Sequence, residues 1–172
     1  MTPIGQRRRA IGRPSYSWAL PLPQGCRALS ATERLALACI ACGEDTAGTA
    51  RAMGIEAVTV RTLLRRATVK IGDGPSRTAV VHRAFLYGQL PAPVPLDVGT
   101  VRLEQWTVLH CLAAGMNLPQ IAAQTSWSYR TVRAYAAALC RTLGARNLPH
   151  AIYCGWKAGY LGPAARTRHG ET

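Results

Sequence analysis

Between residues 57 and 71 the apolar side chains recur at Val60, Leu64, Ala67 and Ile71. The same steps return 72 residues later at Val132, Ala136, Leu139 and Leu143. Spacings of four, three and four put each set on one stripe of an α-helix, the side that a folded domain buries. The opposite side carries Val58, Arg61, Thr62, Arg65 and Val69 in the first segment, and Arg130, Arg133, Ala134, Ala137 and Arg141 in the second. Both segments share a Thr-Val-Arg triplet, at 59–61 and at 131–133. Small residues beside arginines on an outward face let a helix backbone approach a DNA major groove while the guanidinium groups reach base edges or phosphates.

Punctuation around these helices predicts the neighbouring ones. Ser30-Ala31-Thr32-Glu33 is a capping box that starts a helix running to about Cys42, with Gly43 as its stop. Asp45 caps a short helix over about 46 to 53, Gly54 makes the turn, and Gly72 closes the 57–71 helix. A fourth helix is expected over about 76 to 87. The second set follows at the constant offset: Asn117 caps with Gln120 three residues on, Ser126 takes the turn, Ser128 caps, and Gly144 ends the long helix. Only ten of the sixty positions from 29 to 88 are identical to their partners, so the inference of an internal repeat rests on where the matches fall. They fall at core positions, helix stops and the triplet. Pro91, Pro93 and Pro95 interrupt the two sets with an extended spacer. The expected organisation is a basic, largely irregular arm (1–28), a first four-helix unit (29–90), a Pro-rich linker (91–98), a second four-helix unit (99–162) and a basic tail (163–172).

Charge sharpens this picture. Lys and Arg total 21 against 8 Asp and Glu, a net +13, and nineteen of the basic residues are Arg. Such an excess suits a polyanion, and Arg forks suit guanine and phosphate. A GC-rich coding sequence would favour Arg as well, and Arg7-Arg8-Arg9 with Arg13 fits either a phosphate-tracking arm or a solvated tail. No stretch reaches the ~18 to 20 apolar residues of a membrane span, and no apolar segment follows the basic start as in a secretory signal. The expectation is a cytoplasmic, nucleoid-associated protein with reduced cysteines.

The ordered set of motifs resembles the helix-turn-helix domain of LuxR-type (GerE-type) regulators. The first copy supplies Leu29-Ser30-Ala31-Thr32-Glu33, Ala41-Cys42-Gly43, Thr49-Ala50, Thr59-Val60-Arg61, Lys70-Ile71-Gly72 and Ala79-Val80. The second supplies Ala113-Ala114-Gly115, Ile121-Ala122, Thr131-Val132-Arg133, Leu143-Gly144 and Ala151-Ile152. The resemblance implies an all-α protein of two tandem four-helix domains whose third helices, 57–71 and 129–143, read the major groove. It implies base contacts from Arg61, Thr62 and Arg65, and from Arg133, Ala134 and Ala137. Thr59, Arg66, Lys70, Arg130, Thr131 and Arg141 complete the expected DNA-facing set. The family pairs through its last helix, which here implies an intramolecular pseudo-dimer or a homodimer through 76–88 and 148–160. Two departures stand out: Gly48 interrupts the second helix of the first copy, and Val101-Arg102-Leu103-Glu104-Gln105 replaces the usual opening of the second.

Other chemistry finds little support. Cys39-x-x-Cys42 lacks a second pair or a histidine cluster, and Cys39 and Cys111 are expected as matching core positions. His82, His110, His150 and His169 are scattered, no strand precedes Gly72-Asp73-Gly74, and no cofactor, metal or enzymatic activity is expected. Trp106, Trp127, Tyr153 and Trp156 are read as core or contact residues. The partner expected is double-stranded DNA. The rival is an interaction module that binds RNA polymerase or another regulator, with DNA binding secondary or architectural. Ala134, Ala136, Ala137 and Ala138 make the second unit its better candidate.

Overall fold

The computed structural model describes residues 19–72, 76–91, 93–95 and 98–162. Among these residues the chain is entirely helical, without a strand. Its elements are α1 (Ala31–Ala41), α2 (Thr46–Met53), α3 (Ala57–Ile71), α4 (Arg77–Leu86), α5 (Leu103–Ala113), α6 (Leu118–Thr125), α7 (Tyr129–Leu143) and α8 (Leu148–Lys157). α1 to α4 have 11, 8, 15 and 10 residues, and α5 to α8 have the same lengths in the same order. The arginines of the N-terminal arm and of the tail lie outside the described residues, as do parts of the proline-rich spacer.

Ser30, Asp45, Asn117 and Ser128 cap helices as the sequence marks, and Ser76 and Asn147 are further caps that the sequence reading did not mark. Ser30 accepts from the Glu33 N–H while Glu33 accepts from the Ser30 N–H at 2.8 Å. Asp45, Ser76, Asn117, Ser128 and Asn147 cap α2, α4, α6, α7 and α8. Where α5 lacks the usual opening, Gln105 alone does the work, accepting from the Arg102 N–H at 3.0 Å. Gly48, a weak residue for a helix, has a local reason. Its N–H is capped by Asp45 at 2.6 Å, and a Cβ there would run into the Glu44 carboxylate. The two long helices stop differently. Gly144 takes the left-handed conformation at φ 62°, whereas Gly72 stays extended and is kept small by the Thr68 carbonyl, 2.8 Å from where its Cβ would stand.

Both apolar stripes are buried as the periodicity requires. Val60, Leu64, Ala67 and Ile71 of α3 and Val132, Ala136, Leu139 and Leu143 of α7 all lie in the core. Leu63 joins them from beside the first stripe. Within the first quartet α3 packs on α1, α2 and α4, and within the second α7 packs on α5, α6 and α8. A polar link recurs at one place in both. Glu33 of α1 is buried and pairs with the Lys70 ammonium of α3 at 2.7 Å. Gln105 and Thr142 occupy the corresponding positions and join α5 to α7 through a neutral amide–hydroxyl bond at 3.3 Å. Burial pushes the Glu33 carboxyl up, but the Lys70 and Ser30 donors outweigh it and hold the group below its ordinary value.

The quartets meet along α4 and α8, and the buried apolar side chains form one continuous cluster. Phe85 of α4 lies 5.7 Å from both Tyr153 and Trp156 of α8, ring centre to ring centre. Trp156 Nε1–H donates to His82 Nδ1 at 3.1 Å. The flanks are polar: Thr78 donates to the Leu112 carbonyl, Asn147 Nδ2 donates to the Gly43 carbonyl, and Arg146 pairs with Glu44 at 3.1 Å. Cys39 and Cys111 depart from expectation. They are only half-buried, at the rim of the core, while Cys154 is the buried cysteine.

Two predictions follow from these contacts. Thr49 is completely buried and its hydroxyl has no partner among the described residues, where the second quartet has the fully buried Ile121. Thr49→Val removes an unsatisfied polar atom at constant shape, and chemical denaturation is expected to show a gain of about 1 kcal/mol. Burial, then the nearby His110 and Arg83 charges, lower His82 from 6.5 to about 4. Its Nδ1 accepts the Trp156 bond only when the ring is neutral. The folded pKa lies below the unfolded one, so between pH 6.5 and about 4 the unfolded chain binds the extra proton and stability falls as pH falls. Thermal melts of His82→Gln should show a lower stability at neutral pH and a shallower decline across that window than the wild type.

Candidate nucleic-acid interface

Each long helix follows a short one through a three-residue turn. Gly54-Ile55-Glu56 joins α2 to α3 and Ser126-Trp127-Ser128 joins α6 to α7. Both turns open in the left-handed region, Gly54 at φ 65° and Ser126 at φ 58°. Ser126 is the one residue other than glycine with positive φ among the described residues, so the turn geometry is held there against its usual cost. Trp127 packs edge-on against Tyr135 of α7, which fixes the second turn on its helix.

With its apolar stripe buried, α3 presents Val58, Thr59, Arg61, Arg65, Arg66 and Val69 to solvent. Val69 is 70% exposed and Val58 54%, so their methyl groups are open to contact alongside the arginines. Thr62 is half-buried, and its hydroxyl already donates to the Val58 carbonyl one turn back, at 3.1 Å. Lys70, also in the expected DNA-facing set, is half-buried. Its ammonium is drawn to the buried Glu33 carboxylate, which holds it at the base of the helix instead of on the outer face.

α7 presents Tyr129, Arg130, Arg133, Ala134, Ala137 and Arg141. Arg133 lies over the Tyr129 ring, 6.0 Å from its centre, an arrangement that steadies the guanidinium by attraction to the π face. Thr131 is half-buried and its hydroxyl bonds that of the cap Ser128 at 2.7 Å, so it belongs to the helix start more than to the outer face. α3 and α7 do not touch; α4 and α8 connect them. Sequence reasoning overlooked Arg27. It lies before α1, and its N–H donates to the Lys70 carbonyl at the end of α3, at 2.9 Å. Nothing in the linear sequence signals that placement, because it depends on a contact over 43 residues.

Among the described residues no group of three or more His, Cys, Asp or Glu side chains could hold a metal ion, and no helix is long and apolar enough to cross a membrane. A short helix, a left-handed turn and a long helix with an exposed basic face define a helix-turn-helix protein. Residues 104–154 match the family described as bacterial regulatory proteins, luxR family. That segment is similar to the helix-turn-helix domain of this family of DNA-binding transcription regulators. No curated protein and no solved structure matches the chain.

Proposed function

We propose that the chain reads double-stranded DNA sequence-specifically with two tandem helix-turn-helix units, α1–α4 and α5–α8, laying helices 57–71 and 129–143 in the major groove. The observation that carries this reading is the outer face of α3, where Arg61, Arg65 and Arg66 stand exposed beside Val58 and Val69. Arg61 and Arg65 are one turn apart, a spacing that lets both address neighbouring base pairs, with Thr62 between them. Arg66 and Thr59 flank them at phosphate positions. In the second unit Arg133 is the main base reader, Ala134 and Ala137 leave room for thymine methyl groups, and Arg130, Thr131 and Arg141 serve phosphates.

Packing of α4 on α8 supports an intramolecular pseudo-dimer. Two heads held on one body bind at high effective concentration, so each half-site contact can be weak. The half-sites would then lie about one DNA turn apart, roughly 34 Å. A second reading is favoured by one feature of α7: the alanine-rich outer face around Ala134 and Ala137, beside the half-exposed Tyr129, also suits a protein surface such as RNA polymerase or another regulator. In that case α7 contributes no base preference.

Selection of bound duplexes from a random pool, with the intact chain at physiological salt, tests both. Two half-sites at fixed spacing support the tandem reader. One half-site assigns α7 to a phosphate clamp or to a protein partner, and salt-sensitive binding without enrichment marks an architectural role. Arg61→Ala and Arg65→Ala are each expected to cost about 1 to 3 kcal/mol of binding and to relax preference at separate positions of the selected motif. Unaltered affinity and preference in both variants would remove α3 from the reading role.

A further inference from the structure

A groove of roughly 260 Å³ lies at the C-terminal end of α3, lined by Arg27, Arg65, Arg66, Val69 and Lys70. Four of its five lining residues are basic. Lys70 is already paired with Glu33 at 2.7 Å. Arg27, Arg65 and Arg66 are exposed, and none of them is paired with a carboxylate among the described residues. The groove wall is made by the aliphatic stems of these side chains and the Val69 methyl groups, which leaves the exposed guanidinium heads at its rim open to an anion. The groove continues the α3 face that carries Arg61, one turn before Arg65.

Arg27 is fixed in this place by the fold. The segment before α1 is tied at one end by the Leu20 N–H to the Leu86 carbonyl, 2.9 Å. A turn follows at Gly25, with φ 84° and the Cys26 N–H on the Pro23 carbonyl. Arg27 N–H then meets the Lys70 carbonyl, and the buried Leu29 donates its N–H to Gln89 Oε1 at 2.9 Å. The strap thus crosses from α4 to the end of α3 and sets the Arg27 side chain beside those of Arg65 and Arg66 with little backbone freedom left to lose on binding.

Resting on the reading of α3 as a DNA-binding helix, we propose that Arg27 with Arg66 forms a clamp for a DNA backbone phosphate at the edge of the groove that α3 enters, beside Arg65, which addresses the bases. Guanidinium forks on either side of a phosphate can share its oxygens in charge-assisted bonds. The clamp belongs to the first unit only. At the offset of 72 its positions become Gly99 and Ala138, which carry no charge. Gly99 also lies near Thr142, the counterpart of Lys70, with a Cβ placed there 3.9 Å away. The first unit therefore has one phosphate contact that the second lacks.

The test measures binding of the intact chain to its selected duplex and to a scrambled duplex, over roughly 50 to 200 mM salt. Arg27→Ala should weaken both by about tenfold, reduce the slope of log affinity against log salt by about 1, and leave base preference unchanged. Arg27→Lys should recover the slope, since it restores the charge without the fork. If Arg27→Ala binds as the wild type does, with the same slope, the clamp is overturned and reading by α3 stands. A changed base preference would also overturn it, making Arg27 a base reader. A wild-type chain that binds no duplex overturns the clamp and the DNA-reading proposal together.

Discussion

None of the eight helices is long enough to stand alone. The longest have 15 residues and the shortest 8, at or below the length at which an isolated helix is marginal in water. Burial of one stripe on each helix therefore decides both whether it forms and how it is turned. For α3 and α7 that burial has a direct functional consequence. Once Val60, Leu64, Ala67 and Ile71 face inward, Arg61 and Arg65 have nowhere to point but outward. The same holds for Val132, Ala136, Leu139 and Leu143 against Arg133 and Arg141. The outer faces are set by the core behind them, so they can vary without unfolding what they stand on.

The polar links between helices show the same economy in another form. Glu33–Lys70 and Gln105–Thr142 tie the first helix of each quartet to the end of the third, one with charge and one without. A buried ion pair must recover the cost of leaving water, which the neutral pair largely avoids. The charged version also ties up the Lys70 ammonium, beside which Arg27, Arg65 and Arg66 stand exposed.

Much of the local structure was legible in the sequence, because it is written in short-range chemistry. Asp45, Asn117 and Ser128 mark helix starts by side-chain acceptors, Gly54 and Ser126 mark the turns, and the bounds of α2 and α3 follow. What escaped is non-local. The approach of Glu33 to Lys70 spans 37 residues, so the motif that suggested a DNA-facing lysine could not reveal its partner. Arg27 on Lys70, and His82 under Trp156, belong to the same class of contact. Cys39 and Cys111 have matching helical registers, but register does not say how deep a position lies, and both stop at the rim.

The two quartets differ most where they face solvent. From α3 to α7 the outer positions change from Thr62, Arg65 and Arg66 to Ala134, Ala137 and Ala138, while the inner ones exchange apolar for apolar. The family match at 104–154 falls on the quartet whose outer face sets three arginines, Arg130, Arg133 and Arg141, among alanines. That combination is understandable if a family's sequence pattern is mostly the pattern of its core, caps and turns. Asn117, Ile121, Ser126, Val132 and Gly144 satisfy those requirements whatever α7 offers to solvent. Membership of the fold and strength of the DNA contact are then separate properties, fixed by different residues on the same helix. On the proposed reading the two heads meet DNA with three guanidinium groups each, and the alanines of α7 leave its surface free to adapt to the bases or to a protein beside them.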